Sequence, residues 1–333
     1  MKVSHQKIAN DLGLTQSTVS RALNGNKRIS NSTRESVLKK AYEMGYFTDA
    51  ITTLNEVLPK LSKIQPNIGL IVEDICNPFF STIISGVQDQ CSINRYNLII
   101  ATSNIDNYIE MQNIENFRQL GVKGIILHSH SPLKIEKEIP TVFICSNKKI
   151  GKENWIGIDT LKGAFTATEY LIQLGHRQIV FMGDLEKFPE RVEGFKKAHK
   201  KYNIPLLQSN ILHSVPTRIS GSAAIGKLLE VRRDFTGIVC CNDFTAFGVM
   251  EGIQKCGFCI PEDFSVIGLD NVETSSYHGV ELTTVSQPGY EIGKNACELL
   301  IEKIELRNTE EITTRMLEYS LVIRKSCRGI NEI

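Results

Sequence analysis

Apolar residues recur at helical spacing through the first 46 positions and in strand-length runs from Ile68 onward. The pattern alone divides the chain into a small all-helical head and a large α/β body. In the head, Ile8, Ala9 and Leu12 share one helical face, and Gly13 breaks the period. Thr15 then offers a hydroxyl to cap a second helix, predicted from Gln16 to about Asn24, whose apolar stripe is Val19, Ala22 and Leu23. Ser30 or Ser32 can cap a third helix, and Ser32 with Glu35 has capping-box spacing. Its predicted stripe is Val37, Leu38, Ala41 and Met44, and Gly45 ends it. Residues 1–46 therefore read as one helical domain. Residues 47–67 read as a hinge or linker, in which Ile51, Leu54 and Leu58 share a helical face before Pro59.

From there the pattern changes. Apolar runs at 68–72, 98–101, 124–128, 141–145, 179–183, 237–241 and 265–270 alternate with amphipathic stretches of helical length. Runs that are apolar throughout belong to strands covered on both faces, which means parallel, doubly wound sheet. The series is too long for one lobe. Residues 68–333 are expected to fold as two such lobes, with a break near 155–162 and a return crossing after about Pro288.

Charge sharpens this division. The chain carries a net charge of +1, yet residues 1–63 hold ten Lys/Arg against five Asp/Glu, and the remainder holds 28 against 32. A basic head on a mildly acidic body points to nucleic acid at one end only. No apolar run is long enough to span a membrane, and the polar stretch Lys2 to Lys7 is unlike a secretory signal. Nine scattered cysteines read as free thiols in a reducing cytosol, so a cytoplasmic location is expected. Cys256 and Cys259 have redox or metal spacing, but without a partner pair they read as buried structural thiols, and no metal site is expected.

Candidate chemistry lies in two places. On the second helix Gln16, Ser17, Ser20, Arg21 and Asn24 face away from the apolar stripe. Amide, hydroxyl and guanidinium groups without a carboxylate can pair with base edges and phosphates, although a solvated helical hairpin would look the same. In the body, ligands of open α/β sheets sit at the carboxyl ends of strands. Those ends carry Asn77 with Phe79 and Phe80, Ser103, Ser129, Ser146, Asp184, Asn242 with Asp243, and Asp270, and Arg191 opens the helix after Gly183. Amides, carboxylates and a guanidinium suit a polyol, with an aromatic ring over its apolar face.

Plainer roles compete at some of these positions. Asp243 would cap the helix it precedes, and one of Phe79 and Phe80 would sit in core. His176 would lie in a surface turn. His128 and His130 flank a strand end with no third metal ligand, and Ser129 with His130 lacks a nucleophile-elbow motif. The first strand-to-helix turn has no G-x-G-x-x-G and no Walker lysine, so no cofactor is expected and an enzyme on a Rossmann-type fold is disfavoured.

The wording of the head from Val3 to Gly25, with IA, LGLT and TVSRALNG at fixed intervals, resembles the DNA-binding signature of the lactose-repressor and galactose-repressor family. The likeness continues in Asn-Pro-Phe-Phe (77–80), Leu-Gly-His-Arg (174–177), Arg191 with Gly194-Phe195, Cys-Asn-Asp (241–243), the run from Pro261 to Asp270, and Leu282 to Pro288. It implies a helix-turn-helix head on a two-lobed, periplasmic-binding-protein-like body. Such a protein is a transcriptional regulator, a repressor, whose grip on a double-stranded operator is switched by a sugar or sugar derivative.

Gln16, Ser17 and Arg21 match the family's base-reading positions, with Thr15, Thr18 and Asn24 on phosphates. Arg191, Asn242 and Asp270 match its best-attested effector contacts, and Asn77, Phe79 and Phe80 are expected to line the same effector cleft. In the hinge the family pattern survives only at Ala50. Leu54 is one place out of register and Asn55 stands where a leucine wedge is usual, which implies weaker insertion into the minor groove. One recognition helix reads a half-site, so a homodimer on a pseudo-palindromic operator is expected. The rival readings are a regulator of this fold that lacks effector control or responds to a partner protein, and an exported sugar-binding protein.

Overall fold

The computed structural model describes residues 3–24, 26, 29–44, 46, 65–104, 106–129, 139–145, 153–306 and 311–330. The chain divides into two compact units between Gln65 and Pro66. The hinge positions Ala50, Leu54 and Asn55, and Ser146 and His130, lie outside the described residues.

The head contains α1 (His5–Leu12), α2 (Gln16–Leu23) and α3 (Asn31–Glu43). Ser4 caps α1, and Gly13 closes it at φ 65°, a left-handed conformation that glycine adopts without a steric penalty. Thr15 Oγ1 accepts from the Thr18 N–H at 3.2 Å and so caps α2. Ser30 Oγ accepts from the Thr33 N–H at 3.2 Å. Ser30 therefore starts α3, which leaves Ser32 inside the helix, out of place for a capping box with Glu35. Ile8, Ala9, Val19, Ala22, Val37 and Ala41 form the buried core, with Leu12, Leu14, Leu23 and Met44 packed around it. Leu38 departs from the predicted stripe and is 41% exposed. Val37 and Ala41, four apart, already fill the face towards α1 and α2, and Leu38 lies about 100° further round the helix. His5 Nε2 lies 2.6 Å from the Tyr46 hydroxyl, tying the end of the described head to α1.

The body is built from twelve strands and seven helices among the described residues. Its first part runs β1 (Asn67–Val72), α4 (Pro78–Ile93), β2 (Asn97–Thr102), α5 (Asn107–Gln119), β3 (Gly124–His128), β4 (Thr141–Cys145) and β5 (Trp155–Ile158). The second runs α6 (Thr160–Gln173), β6 (Ile179–Gly183), α7 (Pro189–Lys201), β7 (Ile211–His213), α8 (Arg218–Val231), β8 (Gly237–Cys240), α9 (Asp243–Lys255), β9 (Ser265–Asp270) and β10 (Thr283–Ser286). The last runs α10 (Gly289–Leu306), β11 (Thr314–Leu317) and β12 (Ser320–Val322).

Two six-stranded sheets result, in the orders β11-β5-β4-β3-β1-β2 and β12-β10-β9-β8-β6-β7. The chain passes between lobes at Asp159, at Gln287–Pro288 and again at Glu318–Tyr319. The last crossing explains a departure from two wholly parallel sheets. β11 is parallel to β5, whereas β12 is antiparallel to β10. A chain leaving the carboxyl end of β11 enters the second sheet at the carboxyl end of β10, Ser320 opposite Ser286, and must run backwards along it.

Helix α10 packs on α4 over the first sheet, α6 packs on α7, and α8 packs on α9. The α4–α10 crossing is close because two glycines lie in it. A Cβ at Gly293 would overlap the Ile83 carbonyl oxygen, and one at Gly86 would overlap that of Tyr290. Around this crossing Ile83, Val87, Cys91, Ile292, Ala296, Leu299 and Leu300 join Leu70 and Ile126 of the sheet in the first-lobe core.

Two expectations about single residues are overturned. Cys256 and Cys259 are exposed, because they flank the turn after α9 instead of entering the core. His176 is buried and not in a surface turn. Its Nδ1 lies 2.8 Å from Thr236 Oγ1 and its Nε2 lies 3.2 Å from the Arg328 carbonyl, so the imidazole fastens the end of the chain to the second lobe. Burial pushes its pKa down to about 4.

Candidate functional site

In the head, Val19 and Ala22 turn into the core, which leaves the opposite face of α2 outward. Thr15, Gln16, Ser17, Arg21 and Asn24 are exposed and Thr18 is half-buried. The Thr15 hydroxyl is engaged within the turn, 2.9 Å from Ser17 Oγ and 2.8 Å from Thr18 Oγ1. The helix carries no carboxylate, so its outer face presents donors and neutral acceptors to a polyanion.

In the body, a partly open cleft lies between the carboxyl ends of the two sheets. Asn77, Phe79, Phe80, Arg191, Asn242 and Asp270 all line it. Asn77 also caps α4, its Oδ1 accepting from the Phe79 N–H at 3.1 Å, and Pro78 follows at the first helical position. Phe79 and Phe80 both reach the cleft, ring centroids 5.5 Å apart. The expected division of one ring to core and one to cleft does not occur, because the first turn of α4 presents both at the rim while each stays mostly buried.

Asn242, and not Asp243, caps α9. Its Oδ1 accepts from the Thr245 N–H at 2.8 Å. Asp243 is the first helical residue and is fully buried. Its carboxylate accepts from the Val272 N–H at 3.0 Å and from the Thr284 hydroxyl at 2.5 Å, and burial holds its pKa at about 6. Gly268 makes room for it, since a Cβ there would overlap Asp243 Oδ1. The anchorage matters to the cleft because Asp270 and Asn271, just before Val272, have φ of 137° and 57°. A left-handed aspartate costs free energy unless the surrounding structure fixes it. Gln287 donates to Asp270 Oδ1 from the interlobe crossing, and burial pushes the Asp270 carboxyl well above the usual range.

Arg191, in the first turn of α7, lies 4.4 Å over the Phe188 ring and donates to the Cys241 carbonyl. Its Nε is buried without a hydrogen-bond partner among the described residues. A buried guanidinium donor of this kind needs an acceptor, which a ligand oxygen can supply.

Sequence reasoning missed several lining residues. Glu73 follows β1 directly, and its Oε1 is 3.1 Å from Nδ1 of His128, the last residue of β3. His128 meets the edge of Phe80 at 4.9 Å. Gln287, Phe188, Pro216 and the apolar Ile144, Ile158 and Ile292 complete the wall. The strand-end rule contained the signal for Glu73 and His128. Ser103, Ser129 and Asp184 also follow strands but do not line the cleft. Asp184 instead closes its own turn, accepting from the N–H groups of Glu186 and Lys187 at 3.1 Å.

A donor-rich recognition helix and a polar cleft between two α/β lobes together define a DNA-binding regulator with a ligand-binding body. Residues 6–49 match the family described as bacterial regulatory proteins, lacI family, and residues 168–327 match the periplasmic binding protein-like domain. The chain belongs to the lacI family, and the protein is a DNA-binding transcriptional regulator. It is 33% identical to the ribose operon repressor of Haemophilus influenzae, over 96% of this chain and 97% of that one. It is 30% identical to the catabolite control protein A of Priestia megaterium, over 98% of this chain and 100% of the relative. A LacI family transcriptional regulator from Enterococcus faecium, solved with bound ribose, superposes with a TM-score of 0.72 at 27% identity, covering 80% of this chain and 100% of that one.

Proposed function

We propose that the protein is a repressor that binds a pseudo-palindromic operator as a homodimer in the bacterial cytoplasm and is switched by a sugar held in the interlobe cleft. The observation that carries this reading is the convergence of Asn77, Arg191, Asn242, Asp270 and Gln287, with Phe79 and Phe80, on one partly open cleft. The second lobe supplies adjacent carboxylate, amide and guanidinium groups that match ligand hydroxyls, and the first supplies aromatic edges for a ring face. The relative solved with bound ribose supports a sugar of that size. In the head, Gln16, Ser17 and Arg21 read bases, and Thr15, Thr18 and Asn24 hold phosphates. No helix among the described residues is long and apolar enough to cross a membrane.

A ligand bound to both lobes favours the arrangement in which they approach. It alters DNA affinity only through its unequal affinity for the two arrangements. The test is operator binding by fluorescence anisotropy with and without D-ribose. In the parent protein the sugar shifts the operator affinity, and Asp270→Ala abolishes the shift. A full response from Asp270→Ala at the same sugar concentration would overturn the cleft assignment.

A further inference from the structure

The cleft carboxyl of Asp270 is presented by a corner with an unusual backbone. Asp270 and Asn271 both have positive φ, 137° and 57°. The second value is one that asparagine tolerates better than most residues, whereas the first is sparsely populated for aspartate and needs support from its surroundings. The two flanks of the corner are held. Asp270 is paired with Ser286 of β10, its carbonyl accepting from the Gln287 N–H at 3.2 Å, and the Val272 N–H is tied to Asp243. Asn271, at the apex, does not line the cleft.

The apex is gripped from the far end of the chain. Arg324, half-buried just beyond β12, donates from Nη2 to Asn271 Oδ1 at 2.6 Å. Its Nη1 donates to the Leu282 carbonyl at 2.7 Å and to Ser275 Oγ at 3.1 Å. The Arg324 N–H donates to Thr283 Oγ1 at 2.9 Å, so the backbone behind the guanidinium is fixed as well. On its other side the Asn271 amide donates from Nδ2 to Ser286 Oγ at 3.2 Å, and its N–H donates to Thr284 Oγ1 at 3.3 Å. Ser286 immediately precedes Gln287, whose own side chain donates to Asp270. Both ends of the Asn271 side chain are thus held, one by Arg324 and one by the strand that leads to Gln287.

We infer that Arg324 is a positioning residue for the effector site, which fixes the Asp270–Asn271 corner through Asn271 and so aims Asp270 into the cleft without touching the ligand. The inference rests on the sugar-effector reading. Hydrogen bonds from a charged donor are roughly twice as strong as neutral ones, and a ligand contact has to be held to within about 0.5 Å by its neighbours. A planar fork spans Asn271, Ser275 and Leu282 together, which the point charge of a lysine does not. The plainer role, fastening the end of the chain to the second sheet, is already served by the β10–β12 pairing and by Ser326, which bonds both Thr283 and Val266. Two of the three side-chain bonds of Arg324 go instead to the 271–275 turn.

The test is calorimetric titration of the full chain with D-ribose, D-glucose and D-fructose, continued with whichever binds most tightly. Arg324→Met keeps the stem and removes the fork, and is expected to weaken that sugar roughly tenfold, as loss of a group that orients a binding side chain does. Arg324→Lys should not restore it. Asn271→Gly, which keeps the backbone conformation accessible and removes the acceptor, should match the loss, and the double variant should lose no more than about threefold beyond either single one. Arg324→Met also gives up the Ser275 and Leu282 bonds, so its urea midpoint should fall further than that of Asn271→Gly although the sugar affinities agree. A merely structural arginine would make affinity follow stability. In an Asp270→Asn background, Arg324→Met should cost no more than about threefold. Operator binding without sugar, close to that of the parent, shows that the variants are folded. If Arg324→Met binds the sugar as tightly as the parent, or if its loss adds in full to that of Asn271→Gly or Asp270→Asn, the inference is overturned and the sugar-effector reading stands. If the parent binds none of the three sugars while operator binding is intact, that reading fails and the inference fails with it.

Discussion

Single buried side chains set how the protein responds to pH, even where they do not meet the cleft. His176 is the clearest case. Its folded-state pKa of about 4 lies below the value of about 6.5 expected in an unfolded chain. Between those values the unfolded state takes up a proton that the folded state refuses. The stabilisation is therefore fully present above about pH 6.5 and falls away as the pH drops towards 4, by up to about 3 kcal/mol. The urea midpoint should fall steeply across that window, and His176→Gln should flatten the slope. The family wording Leu-Gly-His-Arg was visible in the sequence, but the burial of His176 was not. It depends on Thr236 and Arg328, 60 and 152 residues away. Glu73 was missed for a different reason. It stands at the end of β1 in plain view, but the Asn-Pro-Phe-Phe motif four residues on matched a known pattern and drew the assignment past it.

Among the elements, long apolar runs were legible and short strands were not. The seven apolar runs seen in the sequence fall in β1, β2, β3, β4, β6, β8 and β9. The strands β7, β10, β11 and β12 are three or four residues long, and β10, Thr-Thr-Val-Ser, is largely polar. Such strands are specified by their neighbours more than by their own residues. The helices carry two predictions. Gly293→Ala drives a methyl into the Ile83 carbonyl and forces α4 and α10 apart, at a cost of roughly 1–3 kcal/mol, read as a lower midpoint in chemical denaturation. On α2, Arg21 is exposed in the last turn, and the helix around it is capped and packed without it. Arg21→Ala should leave the melting of the head unchanged, cost roughly 1–3 kcal/mol in operator affinity at fixed salt, and relax the preference at one base pair. Anisotropy with a set of single-substitution operators checks it.

At the level of the whole molecule, the proposed base-reading face of α2 occurs once per chain, which suits one half-site. Sedimentation velocity at micromolar concentration is expected to show a dimer, and a two-half-site operator should bind a single dimer. That two lobes exist was readable from the number of apolar runs. The third crossing, at Glu318–Tyr319, was not, because it joins two strands too short and too polar to register as a pair.

The crossings also have a consequence for the order in which the protein can be made. Synthesis proceeds from the N-terminus, and domains generally fold as units as they emerge. The first lobe cannot do so. Its core includes Ile292, Ala296, Cys297, Leu299 and Leu300, and its outer strand is β11, all of which follow every strand of the second sheet except β12. A ribosome that has released β1 to β5 has released a sheet with α4 on it but nothing where α10 belongs, leaving Ile83, Val87 and Cys91 uncovered. That apolar face must wait through about 130 further residues before α10 closes it. Of the two lobes the first is thus the first to be translated and the last to be complete, and its apolar face stays open to non-native contacts while the second lobe is being made.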